Sequence, residues 1–221
     1  MADVVLSDGS SMSVEDLREY VKDIENVQPY LTCRIFNEND TEHLKDYVLR
    51  KRIDHTDLVY TFALNFENAS MPIGQYQLNQ WHRDMADMLI CWHHIAMYYE
   101  PTYRIMPMDC MLQELDVDTE ETYIQNCPLL VVTNQNKCYG AGEIMLYDVR
   151  QKLLNRYPDG IWIFPSSVHE VLVKPILPED DVDYFLNMVR EINKSDVASS
   201  DRLSNNIYQM YNVNEIIQIG E

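Results

Sequence analysis

Basic residues are scarce in this chain. Against 36 aspartates and glutamates, its 221 residues carry only 17 lysines and arginines, a formal net charge of -19 at pH 7. That deficit excludes a conventional phosphate-gripping protein, because affinity for a nucleic-acid backbone comes from clustered Lys and Arg. Apolar residues nowhere run long enough to form a membrane-spanning helix, and the mean hydropathy of -0.33 agrees. The opening residues lack the basic stretch and apolar core of a secretory signal, so a cytoplasmic protein without a membrane partner is expected. Cysteines at CxxC spacing are also missing. Cys33, Cys91, Cys110, Cys127 and Cys138 are odd in number and sit mostly among apolar neighbours, which points to reduced thiols. Neither a GxGxxG loop, a Walker lysine nor a Gly-x-Ser-x-Gly elbow occurs, so no motif calls for a cofactor.

What is present suits a sizeable core: 46% of the residues are hydrophobic and 10% aromatic. Ser13 followed by Asp16, with Val14, Leu17, Val21 and Ile24 at helical spacing, predicts a first helix through residue 24. Residues 30–36 and 57–66 read as strands, with a helix from about Thr41 to Lys51 between them. Asn79 caps the longest helical pattern, a helix near 79–100 ending at Pro101, whose stripe of Trp81, Met85, Met88, Trp92, Ile95 and Tyr99 is its core face. Pro107 starts a short helix through Met111 and Leu115.

In the second half, Leu129–Thr133 is an apolar strand, Gly140–Tyr147 its returning partner, and 149–157 a covering helix. Residues 161–165 and 171–175 flank Ser166, Ser167, Val168 and His169 as the arms of an antiparallel hairpin, a helix follows through Ile192, and the tail returns to irregular or short structure. Strands followed by covering helices, with hairpin-length links, favour an α+β fold: mainly antiparallel sheet with covering helices and one long central helix. A single two-lobed domain is expected, its lobes spanning about 1–121 and 122–221.

Three constellations carry chemistry. Asp84, Asp87, Cys91 and His94 share one side of the long helix, and Asp87, Cys91 and His94 are possible zinc ligands. One straight helix seldom closes a tetrahedron, so a polar flank beside the core stripe is the favoured reading and no metal is expected. Ser166, Ser167, His169 and Glu170 have the residue types of a nucleophilic triad. They lie within five positions, whereas a base must face its nucleophile on one side and its acid on the other, so a turn whose hydroxyls and imidazole satisfy backbone groups is favoured. The third constellation is acidic: Glu114, Asp116, Asp118, Glu120 and Glu121 form one run, and Glu179, Asp180, Asp181 and Asp183 another. Such rows could imitate a phosphate backbone and occupy a basic channel on a partner protein.

Several segments of the second half stand out together: Leu129 to Asn134, Gly140 and Ala141, Leu146 and Tyr147, Pro165 to Val173, Met188 to Asn193, and Leu203 to Tyr208. They resemble a bacterial domain family of unknown function with a V-L-T-N strand, a G-A-x-x-L-Y segment, a P-S-S-I-H-E-V hairpin, an M-V-x-E-V-N helix and a closing L-S-D-x-V-Y. Asn205 stands where aspartate is usual. The resemblance is strongest over 127–211 and implies no activity, cofactor or catalytic residue. It does imply company, since such proteins are frequent in mobile elements and phage-rich bacterial genomes. The expectation is therefore a non-enzymatic acidic interaction protein, an anti-CRISPR-like inhibitor that blocks a basic nucleic-acid-processing defence enzyme by mimicking nucleic acid, without itself binding nucleic acid. The alternative is a hydrolase using the Ser166/Ser167, His169 and Glu170 site.

Overall fold

A computed structural model describes residues 3–98, 103–114 and 129–220. The chain opens with a small antiparallel pair, β1 (Val4–Val5) and β2 (Ser11–Met12). Ser13 then caps α1 (Val14–Tyr20), its hydroxyl accepting from the Asp16 amide at 3.1 Å. The pattern expected to run on through Ile24 is broken, because Asp23 offers its own carboxylate as the cap of a second helix, α2 (Ile24–Val27).

The first sheet forms around two long strands, β3 (Leu31–Asn37) and β5 (Leu58–Asn65), paired antiparallel over seven positions. Both are buried on both faces, which is why they read as continuous apolar runs. The short strands β4 (Lys51–Arg52) and β6 (Ser70–Pro72) also pair with β5. The helix expected from Thr41 to Lys51 does not form. Asp40 caps the amides of Glu42 and His43 at 3.0 and 2.9 Å, but the turn it starts ends by Asp46 and the chain is drawn out to the edge of β5 as β4.

The long central helix is likewise two helices, α3 (Gln75–Trp81) and α4 (Met85–Tyr98). His82 turns left-handed at φ 51° and closes α3. Asp84 then restarts the chain: its carboxylate accepts from the amides of Ala86 and Asp87, while Asp87 returns the favour to the Asp84 amide at 3.0 Å. The apolar stripe nevertheless stays in register across the break, with Trp81, Met88, Trp92 and Ile95 all buried.

The second sheet contains β7 (Tyr103–Pro107), β8 (Leu130–Asn134), β9 (Ile161–Phe164), β10 (Val171–Pro175), β11 (Ile207–Asn212) and β12 (Glu215–Ile219). Their spatial order is β12-β11-β9-β10-β8-β7, and every neighbouring pair is antiparallel. Pro107 ends a strand, and α5 (Met108–Glu114) follows it. The hairpin expected around residues 166–170 is present as β9 and β10, and the tail, expected to hold irregular or short structure, is a second hairpin of two short strands, β11 and β12. Helix α6 (Tyr147–Arg156) follows the segment 140–145, and α7 (Val182–Ser195) covers Trp162, Phe164 and Ile207 with Phe185 and Val189. The architecture is α+β, with antiparallel sheets and covering helices.

Gly140–Met145 is not a returning strand but a fully buried 3-10 segment. The reason is steric. A side chain at Gly142 would collide with the carbonyl of Cys33 in β3, and one at Gly140 with the Asn134 amide and Thr133 hydroxyl of β8. Backbone therefore touches backbone of both sheets, and one buried cluster runs from Val4 to Ile216 through Cys33, Ile144 and Leu146. Since the obstacle at Gly142 is a strand carbonyl rather than a flexible side chain, Gly142→Ala is expected to cost roughly 2–3 kcal/mol. Urea unfolding would show this as a lower midpoint at unchanged slope, whereas Gly9→Ala, with open space around it, should shift far less.

Candidate functional site

Several of the segments singled out in the second half converge on one knot around Tyr139–Met145. Asn134, at the end of β8, holds the following loop with both ends of its amide: Nδ2 donates to the Cys138 carbonyl at 2.8 Å and Oδ1 accepts from the Cys138 amide at 3.1 Å. Thr133 donates its hydroxyl to the His169 carbonyl at 2.8 Å, and the Ala141 amide donates to the Val168 carbonyl at 3.3 Å. The loop thus delivers Tyr139 in a left-handed conformation, φ 53°, uncommon for an aromatic residue. Its amide donates to His169 Nδ1 at 3.1 Å.

Ser166, Ser167, His169 and Glu170 lie together at the β9–β10 turn, but their bonds are those of a braced turn. Ser167 donates to Glu170 Oε1 at 2.8 Å and accepts from the His169 amide at 3.0 Å. With Nδ1 of His169 accepting from Tyr139, the neutral ring carries its proton on Nε2, which faces Asp201 Oδ1 at 3.8 Å. Neither ring nitrogen hydrogen-bonds a serine hydroxyl in this arrangement. Ser166 sits apart, beside an apolar cavity of about 230 Å³ lined by Phe164, Phe185 and Met188.

Above the knot, Tyr139 connects His169 with the His43 imidazole and the Arg34 guanidinium, two groups that sequence reading did not single out. Its ring lies 4.0 Å from the Arg34 guanidinium, 6.0 Å from the His43 ring and 5.6 Å from the His169 ring. His43 is itself paired with Asp40 at 2.7 Å and stacked on Phe36. Arg34 is buried and among the described residues bonds only neutral groups, Tyr47, Asn65 and Ser70. The available signal was a lone arginine inside the apolar strand 31–36.

A second junction forms at Asp57, which also went unnoticed in the sequence. Its carboxylate accepts from Asn37 at 2.7 Å, Ser204 at 2.8 Å, Asn206 at 3.2 Å and the Tyr208 hydroxyl. Burial, then the Asp57 charge, push the Tyr208 phenol well above its ordinary range, so it remains a donor. Asn193 on α7 joins in by donating to the Ser204 carbonyl at 2.7 Å. The segments Met188–Asn193 and Leu203–Tyr208 are thus parts of a joint between β5 and the closing hairpin. An open polar cleft of about 650 Å³ borders this joint, with Glu38, Asp40, Glu42, Arg52 and Arg202 on its walls.

The acidic runs divide into separate groups. Glu114 is held by Arg104 and Lys137, and these partners pull its carboxyl down to about 2. Asp180, 7% exposed, pairs with Lys174 and accepts from the Trp162 indole at 2.8 Å and the Leu177 amide at 2.8 Å. Asp181 caps α7, whereas Glu179 and Asp183 are exposed. Asp116, Asp118, Glu120 and Glu121 lie outside the described residues, as does Cys127. Asp87, Cys91 and His94 do line one hollow on α4, beside Arg83. Burial raises the Cys91 thiol, however, which opposes the thiolate a metal needs, and Asp87 serves in the helix cap. Among the described residues no group of three or more His, Cys, Asp or Glu is placed to hold a metal ion.

The family model described as "Family of unknown function (DUF5688)" matches residues 4–212. No curated protein and no solved structure matches this chain.

If the hairpin residues brace the turn, their substitutions should separate by thermodynamics. Ser167→Ala removes both a donor and an acceptor and should cost about 1–2 kcal/mol in chemical unfolding. Ser166→Ala should change stability by under about 0.5 kcal/mol. The Glu114 cluster predicts acid sensitivity. Its folded carboxyl titrates at about 2 against an ordinary 4.5, so its stabilisation is complete above about pH 5 and is lost as pH falls towards 2. In Glu114→Gln this portion of the pH dependence of the melting temperature should vanish.

Proposed function

The chain belongs to DUF5688, a family of unknown function, and on that premise we propose that the protein is a non-enzymatic acidic binding protein whose partner presents a basic, nucleic-acid-binding face. The observation that carries this reading is the net charge of -19. Glu114 and Asp180 are neutralised internally, so the acids open to a partner are others. Glu15, Asp16, Glu19, Asp23 and Glu25 are all exposed along α1 and α2, a third acidic run, with only Arg18 and Lys22 among them. Lys22 holds Glu19 at 2.6 Å, which leaves Glu15, Asp16, Asp23 and Glu25 as the carboxylates of this run without a basic partner among the described residues. Glu179 and Asp183 provide further exposed carboxylates ahead of and within the first turn of α7.

In this reading the protein occupies the nucleic-acid channel of an enzyme and displaces the polyanion electrostatically. A defence nuclease such as a CRISPR effector is the target the family's company suggests. Association then depends steeply on ionic strength, because exposed charges are screened beyond about 8 Å at physiological salt.

A hydrolase at Ser166, His169 and Glu170 is a second reading, supported by the apolar cavity that Ser166 borders. It would require His169 to release the Tyr139 amide and turn towards the serine. Labelling by a serine-reactive probe that is lost in both Ser166→Ala and His169→Ala would favour it.

Capture from host lysate at low and moderate salt should recover a basic nucleic-acid enzyme that is lost as salt rises. Reversing Glu15, Glu19 and Glu25 to lysine should weaken that complex at least tenfold, and reversing Glu179 and Asp183 tests the second surface. Undiminished binding after both sets of reversals would remove the mimicry.

A further inference from the structure

In a protein with so large an acidic excess, one cleft has the opposite local character. It lies where the β4 turn, α4, the start of α6 and the β11–β12 turn meet, and it encloses about 420 Å³. At its base is Arg150, only 7% exposed. The guanidinium donates to the carbonyls of Ile144 at 2.8 Å and Val213 at 3.0 Å, while its remaining nitrogen meets only the Met145 thioether at 3.1 Å. No carboxylate pairs with it among the described residues. A buried cation without a counter-ion is costly, and burial alone lowers this one to about 10.

The groups around Arg150 are donors. Tyr60 is 4% exposed, lines the cleft, and has no hydrogen-bond partner for its hydroxyl among the described residues. Burial pushes that hydroxyl up to about 12, so it keeps its proton. His93 accepts the Tyr147 amide on Nδ1 at 3.3 Å. Its neutral ring therefore carries the proton on Nε2, and burial followed by Arg150 and His94 keeps it neutral by lowering its titration. The same amide marks the N-terminus of the ten-residue α6, which has no side-chain cap. Lys51 stands at the mouth and makes no ion pair among the described residues. Two acids reach the rim, Asp54 and Glu215, and Glu215 is directed to His55 at 3.7 Å.

We propose that this cleft binds the phosphoryl group of a small molecule, with Arg150 supplying the buried charge, Tyr60 and His93 directional donors, and Lys51 the entrance charge. A tetrahedral oxyanion can accept from several donors at once, which a chloride or a single carboxylate oxygen does less well. The 420 Å³ volume has room for a molecule of mononucleotide size, and Tyr147, 53% exposed at the edge, offers an aromatic face to it. The site is independent of the acidic-surface reading, because its residues are not among those acids.

Inorganic phosphate is the first probe. At constant ionic strength and pH 7, millimolar phosphate is expected to raise the melting temperature and to shift the His93 Nε2 resonance, while chloride does neither. Lys51→Ala changes an exposed side chain, and His93→Gln keeps a side-chain amide near the Tyr147 amide, so both variants should fold. Each should weaken phosphate binding about tenfold, the worth of one charge-assisted hydrogen bond. A panel of phosphate monoesters then distinguishes free phosphate from a larger ligand by which binds more tightly. Equal effects of phosphate and chloride, or unchanged affinity in both variants, would overturn the assignment.

Discussion

Everything in this molecule depends on one close approach. The 3-10 segment 140–145 lies between the two sheets with no side chain at the points of contact: Gly142 faces the Cys33 carbonyl of β3, and Gly140 faces the Asn134 amide of β8 and the His169 carbonyl. Backbone packed this tightly leaves no room for water, so each polar group near it must find a partner within the chain. That requirement accounts for the neighbouring residue types. Thr133 serves the His169 carbonyl, Asn134 serves both polar groups of Cys138, and His169 accepts the Tyr139 amide. The triad-like side chains Ser167, His169 and Glu170 are thus engaged in the bonds of a crowded turn.

Asp57 plays the corresponding part at the other end. One carboxylate receives four donors from three segments, tying the start of β5 to β3 and to the segment that leads into β11. Such a group is saturated by its partners and works as a rivet rather than a reagent. The contrast with Arg150 and Arg34 is informative. Among the described residues both buried cations hydrogen-bond neutral groups only, although the chain has 36 acids to offer. The acids are instead largely external, paired locally, or used as caps, so the global charge and the local environment of the interior follow separate rules.

Much of the fold was legible where local preference and tertiary demand coincide. Residues 31–37, 58–65 and 130–134 are rich in β-branched and aromatic side chains and became strands. The hairpin of β9 and β10 followed from two apolar arms around a polar turn. Where the reading failed, a single polar side chain made the difference. Asp84 and Asp23 each restart a helix inside an uninterrupted periodic stripe, because a carboxylate that caps the opening amides, two at Asp84 and one at Asp23, outweighs the few tenths of a kilocalorie of propensity in the surrounding residues. The candidate site was half visible: Ser167, His169 and Glu170 do lie together, but Tyr139, Arg34, Asp57 and Arg150 come from segments far apart in the chain.

The amino-acid sequence by itself determined the composition of the core, the net charge and the alternation that makes antiparallel strands, since each depends on residue type and near neighbours. Tertiary structure alone decided that Gly140–Met145 would be a wedge rather than a strand, and that Asp180 would be enclosed while Glu179 stays outside. It also decided that Arg150 would face a cleft with Tyr60 and His93. Those outcomes depend on which distant backbone arrives beside a residue, and steric contact and desolvation act only once it is there.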